Sequence, residues 1–220
     1  MFDQATVEML MEGVVDTLYM TIVSTFFSYV FGIVMAVVLV ICRKDGIRPN
    51  PVVYSVLDVV VNLTRSFPFL ILMILVFPLT RLIVGTVVGT PATVVPLVIA
   101  SFPFIARLVE SSLRELNPNI IETAQSMGAS PMQIVCRVML PESVPSLISN
   151  ATIAVTTVLG YSAMSGIIGG GGLGKIAINY GYYRYQYIVM AFAVIFLILL
   201  VQIFQSVGTK LVAKCDKRLK

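Results

Sequence analysis

The residues with the clearest chemical signature lie in a glycine-rich segment, GGGGLGK, at positions 169–175. The segment satisfies the dinucleotide pattern G-x-G-x-x-G and nearly satisfies the phosphate-loop pattern G-x-x-x-x-G-K-[ST]. However, Ile176 stands where a phosphate loop needs Ser or Thr, and the segment follows an apolar run rather than a strand. We therefore expect no nucleotide here, and a sharp turn at an outer mouth instead. The predicted outer glycine loop comprises Gly169, Gly170, Gly171, Gly172 and Gly174.

The remaining chain offers no catalytic or metal-binding constellation. It has no histidine, which removes the usual general base and the commonest zinc ligand. Cys42, Cys136 and Cys215 are too far apart for a metal motif, and an odd number of cysteines cannot pair completely. We therefore expect no catalytic residue, no metal site and no cofactor bound by this chain.

The composition is that of an integral membrane protein. Hydrophobic residues make up 58% of the chain and charged residues 12%, and the mean hydropathy is +0.96. In such a chain the net charge of +4 reports the sides of the bilayer rather than a nucleic-acid partner. We predict a single all-α, polytopic transmembrane domain over residues 1–220.

Apolar runs predict five membrane spans joined by short loops and one long polar segment. The second run contains Pro68 and Pro78, which should kink its helix. The polar segment 107–145 is the predicted cytoplasmic coupling loop. The spans are placed at about 18–42, 57–79, 82–106, 147–168 and 186–207.

Basic residues decide the orientation. With the N-terminus outside, three basic residues lie outside, Arg81, Lys175 and Arg184, whereas the cytoplasmic side holds a much larger set. That set is Arg43, Lys44, Arg48, Arg107, Arg114, Arg137, Lys210, Lys214, Lys217, Arg218 and Lys220. The positive-inside rule therefore places the N-terminus outside and the C-terminus and the coupling loop in the cytoplasm.

The coupling loop carries the start and stop signals of a helical hairpin. Asn117 is a cap for a helix over about 118–127, and Gly128 stands where a left-handed residue ends a helix. Ser130 begins a second helix through a capping box with Gln133, and we expect this helix to stop before Pro141. On this helix Met132, Val135 and Met139 make an apolar stripe. Such a hairpin is either a docking device or an amphipathic element that lies on the bilayer.

The spacing within the hairpin resembles the EAA signature of ABC importer permeases, with Thr123 and Val138 as departures to residues of similar size. By this resemblance the hairpin is a coupling helix held in a cleft of a separate ATPase. The implied coupling residues are Glu122, Thr123, Ala124, Gly128, Leu140 and Pro141.

Several further segments are similar to methionine-uptake permeases of this class. They include RSFPFLILMILVFPLTRLIVGT from Arg65, PFIARLVE from Pro103 and VLGYSAMSGIIGGGGLG from Val158. The resemblance implies a homodimeric pore in the bacterial inner membrane, two cytoplasmic ATPase subunits that bind ATP and Mg, and an external substrate-binding protein. It implies methionine, or a closely related amino acid, as the solute.

Candidates for the translocation path or gate lie in the second and fourth spans. Arg65 is costly in a span unless it faces water or a partner, or reaches the interface as a structural residue. The other candidates are Pro68, Tyr161, Ser162 and Met164. Small residues in the fourth span are equally compatible with ordinary helix packing.

Three other functions remain to be distinguished. An ABC importer of another small solute would share every feature above. A secondary transporter would need repeated halves and intramembrane ionisable groups, of which only Arg65 and Asp58 are available. A membrane scaffold would use the hairpin to recruit a cytoplasmic protein without moving any solute.

Overall fold

The computed structural model describes residues 4–215, and within this range the chain is helical and contains no strand. The predicted cytoplasmic residues Lys217, Arg218 and Lys220 lie outside the described residues. The helices are α1 Gln4–Cys42, α2 Pro51–Ser66, α3 Phe69–Leu75, α4 Phe77–Val84, α5 Thr90–Arg114, α6 Pro118–Ser126, α7 Pro131–Ile134, α8 Leu140–Glu142, α9 Val144–Ser165, α10 Gly172–Ile176 and α11 Tyr187–Cys215. Segments Val135–Met139 and Ala177–Tyr183 are π-helical, and Gly166–Ile168 is a 3₁₀ turn.

Four stretches are long and apolar enough to cross a bilayer, namely α1, α5, Val144–Tyr183 and α11. Helices α2 and α3 would together make a fifth, but they meet at an angle of 107°. The second predicted span is therefore broken rather than merely kinked. The helix of the third span is Thr90–Arg114, so residues 82–84, which were predicted to open that span, belong to α4.

Proline explains the break between α2 and α3. Pro68 disfavours a helical conformation at the preceding residue, and Phe67 is extended, with ψ of 130°. The chain then restarts as α3, whose first turn uses the Pro68 carbonyl as acceptor for the Ile71 and Leu72 amides, both at 3.0 Å. The break leaves irregular backbone halfway along a predicted span.

Two apolar clusters occupy opposite ends of the bundle. The hairpin-end cluster joins the end of α1, the end of α5, the hairpin and the start of α9, through Ala36, Val40, Ile105, Val109, Leu113, Ile134, Val135, Met139 and Ala154. The glycine-end cluster joins the start of α1, the end of α9, α10 and α11, through Leu10, Leu159, Leu173, Ile176, Val189, Ala193 and Leu200. Because α1 and α9 each run between the two clusters, these clusters mark the two ends of the membrane-crossing bundle.

The second hairpin helix does not stop before Pro141, as the sequence led us to expect. After α7 the chain widens into the π-helical turn Val135–Met139 and continues through α8, with the Leu140 amide bonded to the Val135 carbonyl. An α-helix would set the Pro141 ring against the carbonyl four residues earlier. The wider turn relieves that clash, so the helix passes through the proline.

Candidate coupling and translocation site

The hairpin forms where its capping signals predicted. The Asn117 side chain accepts a hydrogen bond from the Asn119 amide at 3.0 Å and so caps α6. Gly128 is left-handed, with φ of 78°, and the Ala129 amide reaches back to the Ala124 carbonyl at 3.1 Å. Ser130 then opens α7 through a complete capping box with its glutamine partner. Local sequence alone therefore determines a compact two-helix unit.

The predicted coupling residues lie on different sides of this unit. Glu122, Thr123 and Gly128 are exposed, and nothing lies within 4 Å of the position that a Gly128 side chain would take. Ala124 instead packs inward against the hairpin-end cluster. An external partner that approached the hairpin would thus meet the carboxylate, the hydroxyl and the open glycine backbone.

The same outer surface carries apolar side chains, of which sequence reasoning missed Ile120 and Met127. Met127 is 83% exposed, Met132 60% and Ile120 38%. Ile120 and Met127 stand beside helix ends rather than in a periodic stripe, which is why the pattern did not indicate them, whereas Met132 is the exposed end of the predicted apolar stripe. We call Ile120, Met127 and Met132 the hairpin tip. Exposed apolar groups on an otherwise polar hairpin indicate a contact surface.

Leu140 and Pro141 lie where the hairpin meets the bundle. Leu140 is half-buried and packs on the hairpin-end cluster, whereas Pro141 is exposed. Val135 and Met139 of the predicted apolar stripe are buried in that cluster, and Met132 is not. The stripe therefore anchors the hairpin to the spans and leaves its far end exposed.

Hydroxyl and amide groups tie the hairpin and α9 to α5. The Ser143 hydroxyl donates to the Ser112 carbonyl at 3.2 Å, at the junction between α8 and α9. Two turns further, the Asn150 amide donates to the Ser112 hydroxyl at 2.7 Å and to the Leu108 carbonyl at 3.1 Å. These hydrogen bonds join residues that are 31 to 42 positions apart in the sequence, and together they connect α5 to the start of α9.

A charged cluster ties the opposite side of α5 to α2. Arg107 forms an ion pair with Asp58 and donates to Glu110 Oε2 at 2.6 Å and to Asn62 Oδ1 at 3.1 Å. Asn62 in turn donates to Asp58 at 3.1 Å. The Glu110 side chain is only 2% exposed. We call these four residues the α2–α5 ion cluster, and no sequence pattern linked its members on α2 to its members on α5.

Two of the predicted path residues meet at one cavity. The cavity has a volume of about 230 Å³ and lies between the α2–α3 break, α5 and α9. Arg65 and Tyr161 both line it. The Tyr161 ring stacks on Phe69, with centroids 4.7 Å apart and planes within 4°, and the Arg65 guanidinium lies 5.9 Å from the Phe104 centroid. Phe69 and Phe104 were not candidates in the sequence.

The other predicted path residues are placed differently. Pro68 lies in the helix break, between two residues that line the cavity. Ser162 is fully buried and donates its hydroxyl to the Leu159 carbonyl at 2.8 Å within α9. Met164 is 42% exposed and does not line the cavity. The structure therefore separates these residues of α9 from Tyr161.

The glycine segment forms the sharp turn between α9 and α10. Gly169 and Gly172 are left-handed, with φ of 92° and 73°. Gly170, Gly171, Gly172 and Gly174 are buried. A side chain at Gly174 would clash with the Ala163 carbonyl of α9. The turn is also held from α1, because the Leu173 amide donates to the Thr17 hydroxyl at 2.9 Å. These glycines are required by backbone conformation and close packing.

Residues 4–215 contain no group of three or more His, Cys, Asp or Glu side chains that could hold a metal ion. Cys42, Cys136 and Cys215 are free thiols.

Comparisons with known proteins agree with the arrangement of a hairpin on a helical bundle. The chain is 46% identical over 211 residues to the probable D-methionine transport system permease protein MetI of Vibrio cholerae, covering 96% of this chain and 94% of that protein. It is 47% identical over 158 residues to the D-methionine transport system permease protein MetI of Escherichia coli K12, covering 72% and 73%.

Solved structures share the fold. A structure of the MetNI methionine ABC transporter in inward-facing conformations matches with a TM-score of 0.96 and 42% identity, covering 98% of this chain and all of that one. The family described as binding-protein-dependent transport system inner membrane component matches residues 28–214. The chain therefore belongs to this family of inner-membrane transport components.

Proposed function

We propose that this chain is the pore-forming permease of an ATP-driven importer of methionine. The observation that carries the proposal is the rigidly capped hairpin, which presents apolar side chains and an open glycine away from the membrane-crossing bundle. The similarity to permeases named for D-methionine transport and to the methionine transporter supports the solute. The chain itself is not an enzyme, since ATP and Mg are bound by a separate ATPase.

The working assembly contains two copies of this chain, two cytoplasmic ATPase subunits and an external substrate-binding protein. The family description supports the binding protein. Basic residues are far more numerous in the segments predicted to lie on the hairpin's side of the membrane than in those on the other side. This excess supports a cytoplasmic hairpin and C-terminus and an N-terminus outside. The exposed apolar faces of α1, α2 and α11 supply area for lipid and for the second copy.

The hairpin couples ATP binding to the orientation of the pore. Glu122, Thr123, Ala124 and Gly128 form or support the part that sits in the ATPase cleft, and Leu140 and Pro141 connect it to the spans. Closure of the two ATPase subunits draws the two hairpins together and turns the pore from inward-open to outward-open.

The substrate then passes from the binding protein into the pore. Arg65, Pro68, Tyr161, Ser162 and Met164 are the proposed path and gate residues. The glycine segment from Gly169 to Gly174 shapes the outer mouth beneath the binding protein. Among these residues, the cavity gives the strongest support to Arg65 and Tyr161.

The coupling role is tested by changing the hairpin while the bundle stays intact. Gly128→Trp fills the open space and also strains the left-handed backbone at this position, whereas Met127→Asp puts a charge on the hairpin tip without altering the backbone. We expect either change to lower co-purification with the ATPase and uptake of labelled methionine by reconstituted vesicles about tenfold or more. An aspartate in an apolar contact loses its hydration, which accounts for this magnitude.

Cys136→Ser provides the matched control, because Cys136 is exposed on the same hairpin but outside the hairpin tip. It should leave both the co-purification with the ATPase and the uptake of methionine unchanged. The coupling role would be refuted if Gly128→Trp and Met127→Asp both co-purified with the ATPase as fully as the unaltered chain and both supported full uptake of methionine. Normal ATPase binding without methionine uptake in the unaltered complex would instead indicate another solute.

A further inference from the structure

The cavity at the helix break lies at membrane depth. Ala100, which lines it, is ten residues into the 25-residue helix α5. At 1.5 Å per residue this position is about 15 Å from the start of α5. The apolar core of a bilayer is about 30 Å thick, so a helix that enters it at Thr90 places the cavity near the middle of that core. Irregular backbone is tolerated there only when it is buried in protein or lines a cavity, and residues of the α2–α3 break do line this one.

Arg65 brings a positive charge to the cavity that the described residues do not neutralise. The ion pairs of residues 4–215 involve Arg43 and Arg107 but not Arg65. Arg65 is exposed in the single chain, and its guanidinium lies 5.9 Å from the Phe104 centroid, so its charge is open to a ligand that enters the cavity. A carboxylate is the group that complements a guanidinium best, through two parallel hydrogen bonds.

Aromatic rings make up much of the rest of the cavity lining. Phe69 and Tyr161 stack in parallel with centroids 4.7 Å apart, and Phe104 adds a third ring. Aromatic rings attract an ammonium group over their faces and a thioether sulfur at their edges. The volume of about 230 Å³ is below the roughly 300–1,000 Å³ of drug-sized sites. It therefore suits one small molecule.

We propose that this cavity is a substrate site within the pore, in which Arg65 binds the α-carboxylate of a zwitterionic amino acid and Phe69, Phe104 and Tyr161 hold its apolar side chain. The inference rests on the proposed import function and adds a site at which the chain itself selects its substrate. A solute without a carboxylate lacks the partner of Arg65 and binds poorly.

The site is tested with a photoactivatable diazirine analogue of methionine on the solubilised permease–ATPase complex, without the binding protein. We expect labelled peptides from the α2–α3 break, α5 and α9. Methionine should compete with the label, and methioninamide, which has no carboxylate, should compete about 10- to 100-fold less well, as expected for one charge-assisted contact. Arg65→Gln should abolish this preference, and Arg65→Lys should retain part of it.

Arg81→Gln is the matched control, since Arg81 is an exposed arginine on α4 that does not line the cavity. It should preserve both the labelling and the preference. Co-purification of Arg65→Gln with the ATPase, and elution of that complex as one symmetric peak in size-exclusion chromatography, verify that the variant folds. If it does not fold, the Arg65→Lys variant and the labelled positions provide the test.

Labelling away from these three elements, or an unchanged preference in Arg65→Gln or Arg65→Lys, would overturn the site while leaving methionine import intact. Absence of methionine uptake by the unaltered complex with its binding protein would overturn the proposed function as well.

Discussion

Replacing Arg107 with methionine tests the α2–α5 ion cluster directly. Methionine keeps most of the aliphatic length of arginine and removes the charge. The substitution deletes the ion pair with Asp58 and the 2.6 Å bond to Glu110. The Glu110 carboxylate would then lie 2% exposed, without the cation that neutralises it, and its Oε1 already lacks a hydrogen-bond partner among the described residues.

The expected cost follows from which charge is left behind. Removing one partner of a buried ion pair destabilises a protein by about 3–5 kcal/mol, because the remaining charge has lost its hydration. Asp58 is 30% exposed, so water compensates the loss of its own pairing. Asp58→Asn should therefore cost only about 1 kcal/mol or less. Replacing both Arg107 and Glu110 by apolar residues of similar size should restore most of the stability.

The assay is reversible unfolding of the detergent-solubilised chain, followed by circular dichroism, for Arg107→Met, Glu110→Met and the double variant. The double-mutant cycle isolates the coupling between the two residues. We expect Arg107→Met to be the least stable and the double variant to recover. A loss below about 1 kcal/mol for Arg107→Met, or no recovery in the double variant, would refute the view that Arg107 neutralises a buried carboxylate.

Two further substitutions test packing at the two ends of the bundle. Gly174→Ala should destabilise the chain by about 1–3 kcal/mol through its clash with α9. Its control, Gly160→Ala, lies in open space within a helix and should stabilise the chain by about 0.5–1 kcal/mol. Similar effects of the two substitutions in thermal unfolding would contradict the proposed packing. Asn150→Ala should cost about 1–3 kcal/mol, because it leaves the Ser112 hydroxyl and a carbonyl of α5 without this donor. The exposed neighbour Ser149→Ala should be neutral in the same unfolding assay, and equal losses for the two would contradict the role of Asn150.

The hairpin was predictable because its signals are local. Asn117, Gly128 and Ser130 specify their caps through bonds to residues at most five positions away. Its continuation past Pro141 was not predictable from the rule that proline ends a helix. The π-helical turn that accommodates Pro141 depends on how the hairpin packs against α5 and α9, and this information is not local.

The site at the centre of the bundle was predicted only in part. A charge in an apolar run singled out Arg65, and a small polar segment singled out Tyr161. Their meeting at one cavity depends on the 107° angle between α2 and α3, which a kink prediction does not provide. Likewise Asp58 and Arg107 are 49 positions apart, and only the fold pairs them.

The double attachment of α5 limits how the hairpin end can move. Its contacts to α2 are partly ionic and its contacts to α9 are neutral hydrogen bonds, so tilting either neighbour alone would break directional bonds. A force applied at the hairpin is therefore transmitted through α5 to both α2 and α9.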